Sequence, residues 1–80
     1  QLADKARPLK KELEQIDKRL ATLAAERAEL EARLTQPLPP AEIADCGKRL
    51  KQGQDETEKL EERWLEISTA LEEMGASTPA

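Results

Sequence analysis

Residues 35–40, Thr35-Gln36-Pro37-Leu38-Pro39-Pro40, interrupt two heptad runs. Before them, Leu2, Ala6, Leu9, Leu13, Ile16, Leu20, Leu23, Arg27, Leu30 and Leu34 recur with alternating gaps of four and three. After them, Ile43, Cys46, Leu50, Gly53, Thr57, Leu60, Trp64, Ile67, Leu71 and Met74 recur with gaps of three and four. That spacing lays one narrow apolar stripe on each of two long helices, as in a coiled-coil seam. Three prolines between the stripes break the helix and fold one run back on the other. The pattern predicts an all-α fold, an antiparallel two-helix coiled-coil hairpin over residues 1–75. Helix one is expected at about 7–34, the turn at 35–40 and helix two at about 41–74, with 76–80 a disordered tail.

Local signals refine those limits. Pro8 is tolerated only near a helix start, so residues 1–7 read as a lead-in, with Asp4 as a capping residue. Pro40 suits the first turn of helix two, and Gly75 suits its C-terminal stop. Gly47 and Gly53 inside helix two cost about 1 kcal/mol each relative to alanine. With Cys46 and Thr57 in the stripe nearby, they predict a weak or bent middle at residues 46–57.

Composition agrees with a hairpin that buries little. The 80 residues contain 38% charged and 38% hydrophobic side chains, and Trp64 is the only aromatic. Such a chain has no material for a conventional globular core. Each seam leucine or isoleucine contributes about 1.5–3 kcal/mol if fully buried. Trp64 is expected as a large knob in that seam, with Leu65 on an outer position.

Charge selects the register. Pairing Leu30 with Ile43, Leu23 with Leu50, Leu9 with Trp64 and Leu2 with Leu71 brings Glu26 to Arg49, Arg19 to Glu56, Glu12 to Arg63 and Lys10 to Glu61. Slipping by one heptad opposes Glu26 to Glu56, Arg19 to Arg63 and Arg33 to Arg49. A third register faces a positions with a positions, which is unusual for antiparallel helices. Exposed pairs are worth only about 0–1 kcal/mol each. Between registers of equal apolar content, attraction against repulsion still decides. Arg27, on an a position, is expected to fix register, to snorkel out of the seam, or to act in recognition near the hairpin tip.

The residues offer no constellation for catalysis or metal binding. Histidine is absent, so the commonest general base and metal ligand is missing. Cys46 is single, sits on a d position and reads as a small buried hydrophobe. One cysteine permits no internal disulfide, which fits a reducing cytoplasm. No signal peptide or membrane-spanning run is evident. Gln1 begins within a helical pattern without an initiator methionine, so the chain is expected to be a piece of something larger.

The charge is unevenly placed. Residues 1–36 carry a net +1 and residues 37–80 a net −5, for a total of −4. Lys5, Arg7, Lys10, Lys11, Lys18 and Arg19 crowd the start of helix one, and Lys48, Arg49 and Lys51 form a second group expected near Arg33. A line of cations along a helix can neutralise phosphates without reading bases. The same charges can simply keep a coiled coil soluble.

Residues 7–23, RPLKKELEQIDKRLATL, and 58–73, EKLEERWLEISTALEE, resemble the C-terminal coiled-coil domain of ABC-F ATPases, Uup-like and YheS-like members above all. The specific parts are the basic start of helix one and the segment with Glu61, Trp64, Leu65 and Glu66. The resemblance implies a parent with two ATP-binding cassettes, using ATP and magnesium, that acts on nucleic-acid machinery. None of the cassette motifs lies in these residues, so no cofactor is expected here. The resemblance and the basic cluster together predict a monomeric, non-catalytic, cytoplasmic arm that binds DNA or ribosomal RNA. The proline-rich turn and acidic helix two depart from the family pattern, which makes helix one the better contact. The alternatives are a protein-interaction or spacer coiled coil docking through Trp64-Leu65, and a tRNA-binding hairpin like the arm of seryl-tRNA synthetase.

Overall fold

The computed structural model describes the backbone of residues 2–75 and the side chains of residues 4–75. It contains α1, Leu2–Leu34, and α2, Pro40–Gly75, packed antiparallel as a hairpin of 57 × 17 × 16 Å. The expected tail at 76–80 and the Leu2 side chain lie outside the described residues.

The loop is closed by its own backbone. At the end of α1, the Thr35 N–H and Oγ1–H both donate to the Ala32 carbonyl, at 3.2 and 2.6 Å. The Gln36 N–H donates to the Arg33 carbonyl at 3.1 Å. Two carbonyls of the last turn are thereby satisfied, and the chain is tightened before the prolines. The Pro39 carbonyl then accepts from the Glu42 and Ile43 N–H groups, at 3.0 and 3.1 Å. Pro40 follows as the first helical residue, where a missing N–H costs nothing.

α1 is longer than local signals suggest, and α2 is uninterrupted. α1 begins at Leu2 and runs through Pro8, so residues 2–7 are helical and not a lead-in, and Asp4 lies in the first turn, not at the cap. Asp4 still sits favourably there, at the positive end of the helix dipole. Pro8 forfeits one hydrogen bond, to the Asp4 carbonyl. Residues 2–7 remain helical because α2 extends to Gly75 and gives Ala6 and Leu9 a surface to pack on. α2 runs as one continuous helix through Gly47 and Gly53, which lie in the stretch, 46–57, expected to be weak or bent. Two glycines cost too little to interrupt a helix held along its whole length by a partner.

The core is a seam. Ile16, Leu23, Cys46 and Ile67 are the buried apolar residues among those described, each 5% exposed or less. Leu9, Leu13, Leu20, Leu30, Leu50, Leu60 and Leu71 are partly buried beside them. Trp64 departs from expectation: it is 39% exposed and only edges the seam. Its ring is too large for a groove between two helices, and no third element covers it. Ile43 is also exposed, beside the prolines of the loop, and Leu65 is 62% exposed on the outer side. Arg27 does leave the seam: its guanidinium pairs with Glu31 on the same helix at 3.6 Å, so it does not fix the register.

A Cβ built on Gly47 or Gly53 meets nothing within 4 Å. Gly47→Ala and Gly53→Ala are therefore expected to stabilise the hairpin by about 0.5–1 kcal/mol each. Thermal denaturation followed by circular dichroism will show this as a rise of several degrees. Leu23→Ala, by contrast, removes a buried seam residue and is expected to cost about 2–5 kcal/mol.

Candidate nucleic-acid interface

The seam is bordered on one flank by two interhelical ion pairs. Arg19 donates through Nε and Nη2 to both carboxylate oxygens of Glu56, at 2.5 and 2.9 Å. Arg63 donates in the same way to Glu12, at 2.7 and 3.0 Å. Seven residues up α1, from Glu12 to Arg19, correspond to seven residues down α2, from Arg63 to Glu56. That is the first of the three registers weighed from the sequence. The same step carried once more places Glu26 level with Arg49, and again Arg33 level with Glu42.

Not every expected pair forms. Arg49 turns to Asp45 on its own helix at 3.0 Å and leaves Glu26. Lys10 and Glu61 make no ion pair among the described residues. Arg33 and Arg49 line the same open groove, of about 840 Å³, between the helices. They stand one heptad apart in level along it. A heptad is about 10 Å of helix axis.

These geometries have an electrostatic consequence. The hydrogen bonds from Arg63 hold the Glu12 carboxyl below its ordinary range, with slight desolvation working against them and the guanidinium charge adding to them. Hydrogen bonds from Arg19 do the same for Glu56. The partner arginines are held protonated more firmly, chiefly by the same hydrogen bonds. All four side chains stay between 37% and 47% exposed, so water and salt screen them.

The candidate phosphate contacts now divide. Arg19 and Arg49 are engaged by carboxylates. Lys5, Arg7, Lys10, Lys11, Lys18, Lys48 and Lys51 are exposed and make no ion pair among the described residues. By helical spacing, Arg7, Lys11 and Lys18 share the outermost side of α1, opposite the seam. They span eleven residues, or about 16 Å of axis. Lys10 borders them on one flank, while Lys5 stands nearer the seam on the other. Level for level, Lys51 and Lys48 stand only about 9 and 14 Å beyond Lys18, but on the other helix, so the second group faces a different way from the first.

The groove between the helices is open to solvent and lined mainly by leucine, alanine, arginine and glutamate side chains. Among the described residues no group of three potential ligands could hold a metal ion, and no helix is long and apolar enough to cross a membrane. Cys46 is a free thiol, buried in the seam.

A family model for the ABC transporter C-terminal domain matches residues 6–69. The chain belongs to that family. The match begins at Ala6, one residue before the basic line on α1, and ends at Thr69, beyond Trp64 and Leu65. In this ABC transporter C-terminal domain, therefore, the matched part contains both interhelical ion pairs and the loop. Comparisons with curated proteins and with solved structures give no match.

The lowered Glu12 and Glu56 carboxyls set the sign of a pH dependence. A carboxyl more acidic when folded contributes stability that is complete above its unfolded range and lost as pH falls through the folded value. The domain is expected to lose thermal stability on acidification below the ordinary carboxylate range, while staying insensitive around neutrality. A Glu12→Gln, Glu56→Gln double variant should show a shallower acid dependence, read from melting curves across an acid pH series.

Proposed function

We propose that this domain is an accessory arm of an ABC-F-type ATPase, Uup-like or YheS-like, that binds DNA or ribosomal RNA electrostatically and without sequence specificity. The observation that carries the proposal is the line of Arg7, Lys11 and Lys18 on the outermost side of α1, exposed and without carboxylate partners among the described residues. Phosphates on one strand are spaced closely enough for such a line to meet several of them. Lys10 and Lys5 extend it on either flank. Lys48 and Lys51 supply a second, weaker group.

Family membership supports an arm attached to an ABC protein. The motifs quoted above, the basic start of α1 and the Glu61–Glu66 segment, support the narrower assignment. In this proposal the arm does no catalysis itself. ATP and magnesium belong to the cassettes of the parent, in the cytoplasm, and the hairpin acts as a monomer. The reach of a rod 57 Å long suits a contact distant from its attachment point. The acidic part of α2, residues 55–73, would face away from the nucleic acid, because its carboxylates repel phosphate.

The salt dependence of binding tests the proposal. Affinity for duplex DNA or ribosomal RNA should fall linearly on a log–log plot, with a slope of roughly −0.9 per phosphate engaged on a DNA duplex. Lys11→Glu with Lys18→Glu should weaken binding strongly and flatten that slope, whereas Lys59→Glu on α2 should do neither. A flat salt response, or equal binding by the α1 double variant, would refute the assignment.

A further inference from the structure

α2 carries a face that neither the seam nor the phosphate line uses. Leu65 is 62% exposed and Trp64 beside it is 39% exposed. Residues three, four and seven positions from Leu65 share its side of the helix. Those positions hold Glu58, Glu61, Glu62 and Glu72, all exposed and none in an ion pair among the described residues. Glu66 differs, being shared with Arg63 at 3.9 Å. Two adjacent large hydrophobics in water, rimmed by uncompensated carboxylates, form an apolar centre inside a charged border. Protein interfaces have this anatomy, and tryptophan is among the residues that most often anchor them.

We propose that this face is a docking surface for a basic amphipathic helix of a protein partner. Charge decides the occupant's sign. The four carboxylates repel nucleic acid and anionic lipid and attract lysine and arginine, which steers association and orients the partner. The apolar centre decides the rest: the partner must offer aliphatic side chains between its cations. A second copy of this chain matches only half of that description. The outer side of α1 presents Arg7, Lys11 and Lys18, but the exposed large hydrophobics among the described residues, Ile43, Trp64 and Leu65, all lie at or beyond the loop. The surface is independent of the phosphate line, which lies on the other helix, so the two can fail separately.

Trp64 is the only tryptophan, so its fluorescence reports on this face directly. The full chain would be titrated with a synthetic helical peptide of leucine and lysine, and with a matched peptide of leucine and glutamate. The lysine peptide should shift Trp64 emission to the blue, saturably, and the glutamate peptide should not. Leu65→Ala leaves the charge and the helix intact, as circular dichroism will verify, and should weaken binding about tenfold. Glu58→Lys with Glu62→Lys should abolish the shift. Equal affinity in Leu65→Ala would reduce the contact to plain ion exchange and overturn the proposal. So would an equal response to the glutamate peptide, a Trp64 shift on adding duplex DNA that persists in Lys11→Glu with Lys18→Glu, or dimerisation through this face seen by sedimentation.

Discussion

Two helices without a third can bury only what lies between them. Each helix presents a full circumference, and a single partner covers a stripe along one side of it. In this chain that leaves Ile16, Leu23, Cys46 and Ile67 as the buried core among the described residues. Everything else is at least partly wet. A heptad position therefore does not guarantee burial: Trp64 and Ile43 occupy a positions and remain more than a third exposed. The space between the helices is accordingly an open groove among the described residues.

With so little buried surface, the apolar seam alone discriminates poorly between registers. Leucines at heptad spacing tolerate a slip by a whole heptad, because each knob then finds an equivalent hole. The planar guanidinium groups of Arg19 and Arg63 do not tolerate it. Each reaches across the seam and meets both oxygens of one carboxylate, a geometry that a slip would replace with like charges. Their role is to choose an alignment, and the modest worth of exposed ion pairs is enough for a choice between near-equal alternatives.

The cations consequently divide by chemistry. Among the described residues, the arginines at 19, 27, 49 and 63 make ion pairs and the lysines make none. Arginine's rigid fork suits fixed bidentate partners, while a lysine ammonium on a flexible stem stays hydrated and mobile. Structural charge is thus carried by four arginines, and available charge by the lysines together with Arg7 and Arg33. Of the cations on the outermost side of α1, only Arg7 is an arginine. On α2 the available charge is negative and is concentrated around two exposed hydrophobics. One end of the rod therefore bears opposite signs on opposite sides, which gives it two faces able to contact different things.

The heptad spacing and the proline break made the antiparallel hairpin legible from the sequence, and the charge pattern made its register legible. Both follow from periodicities that survive without knowledge of any contact. The start of α2 at Pro40 was equally plain, because proline acts locally. Tertiary packing decided what local rules got wrong. It drew α1 through Pro8 to Leu2, kept α2 helical across Gly47 and Gly53, and left Trp64 at the edge of the seam. It also decided which charges were consumed, turning Arg49 to Asp45 when Glu26 stood equally near in the heptad scheme. Spacing along a helix tells which residues share a side. Whether a side chain on that side is covered, and which of two neighbours it meets, depends on the shape of the opposing helix, which no single stripe records.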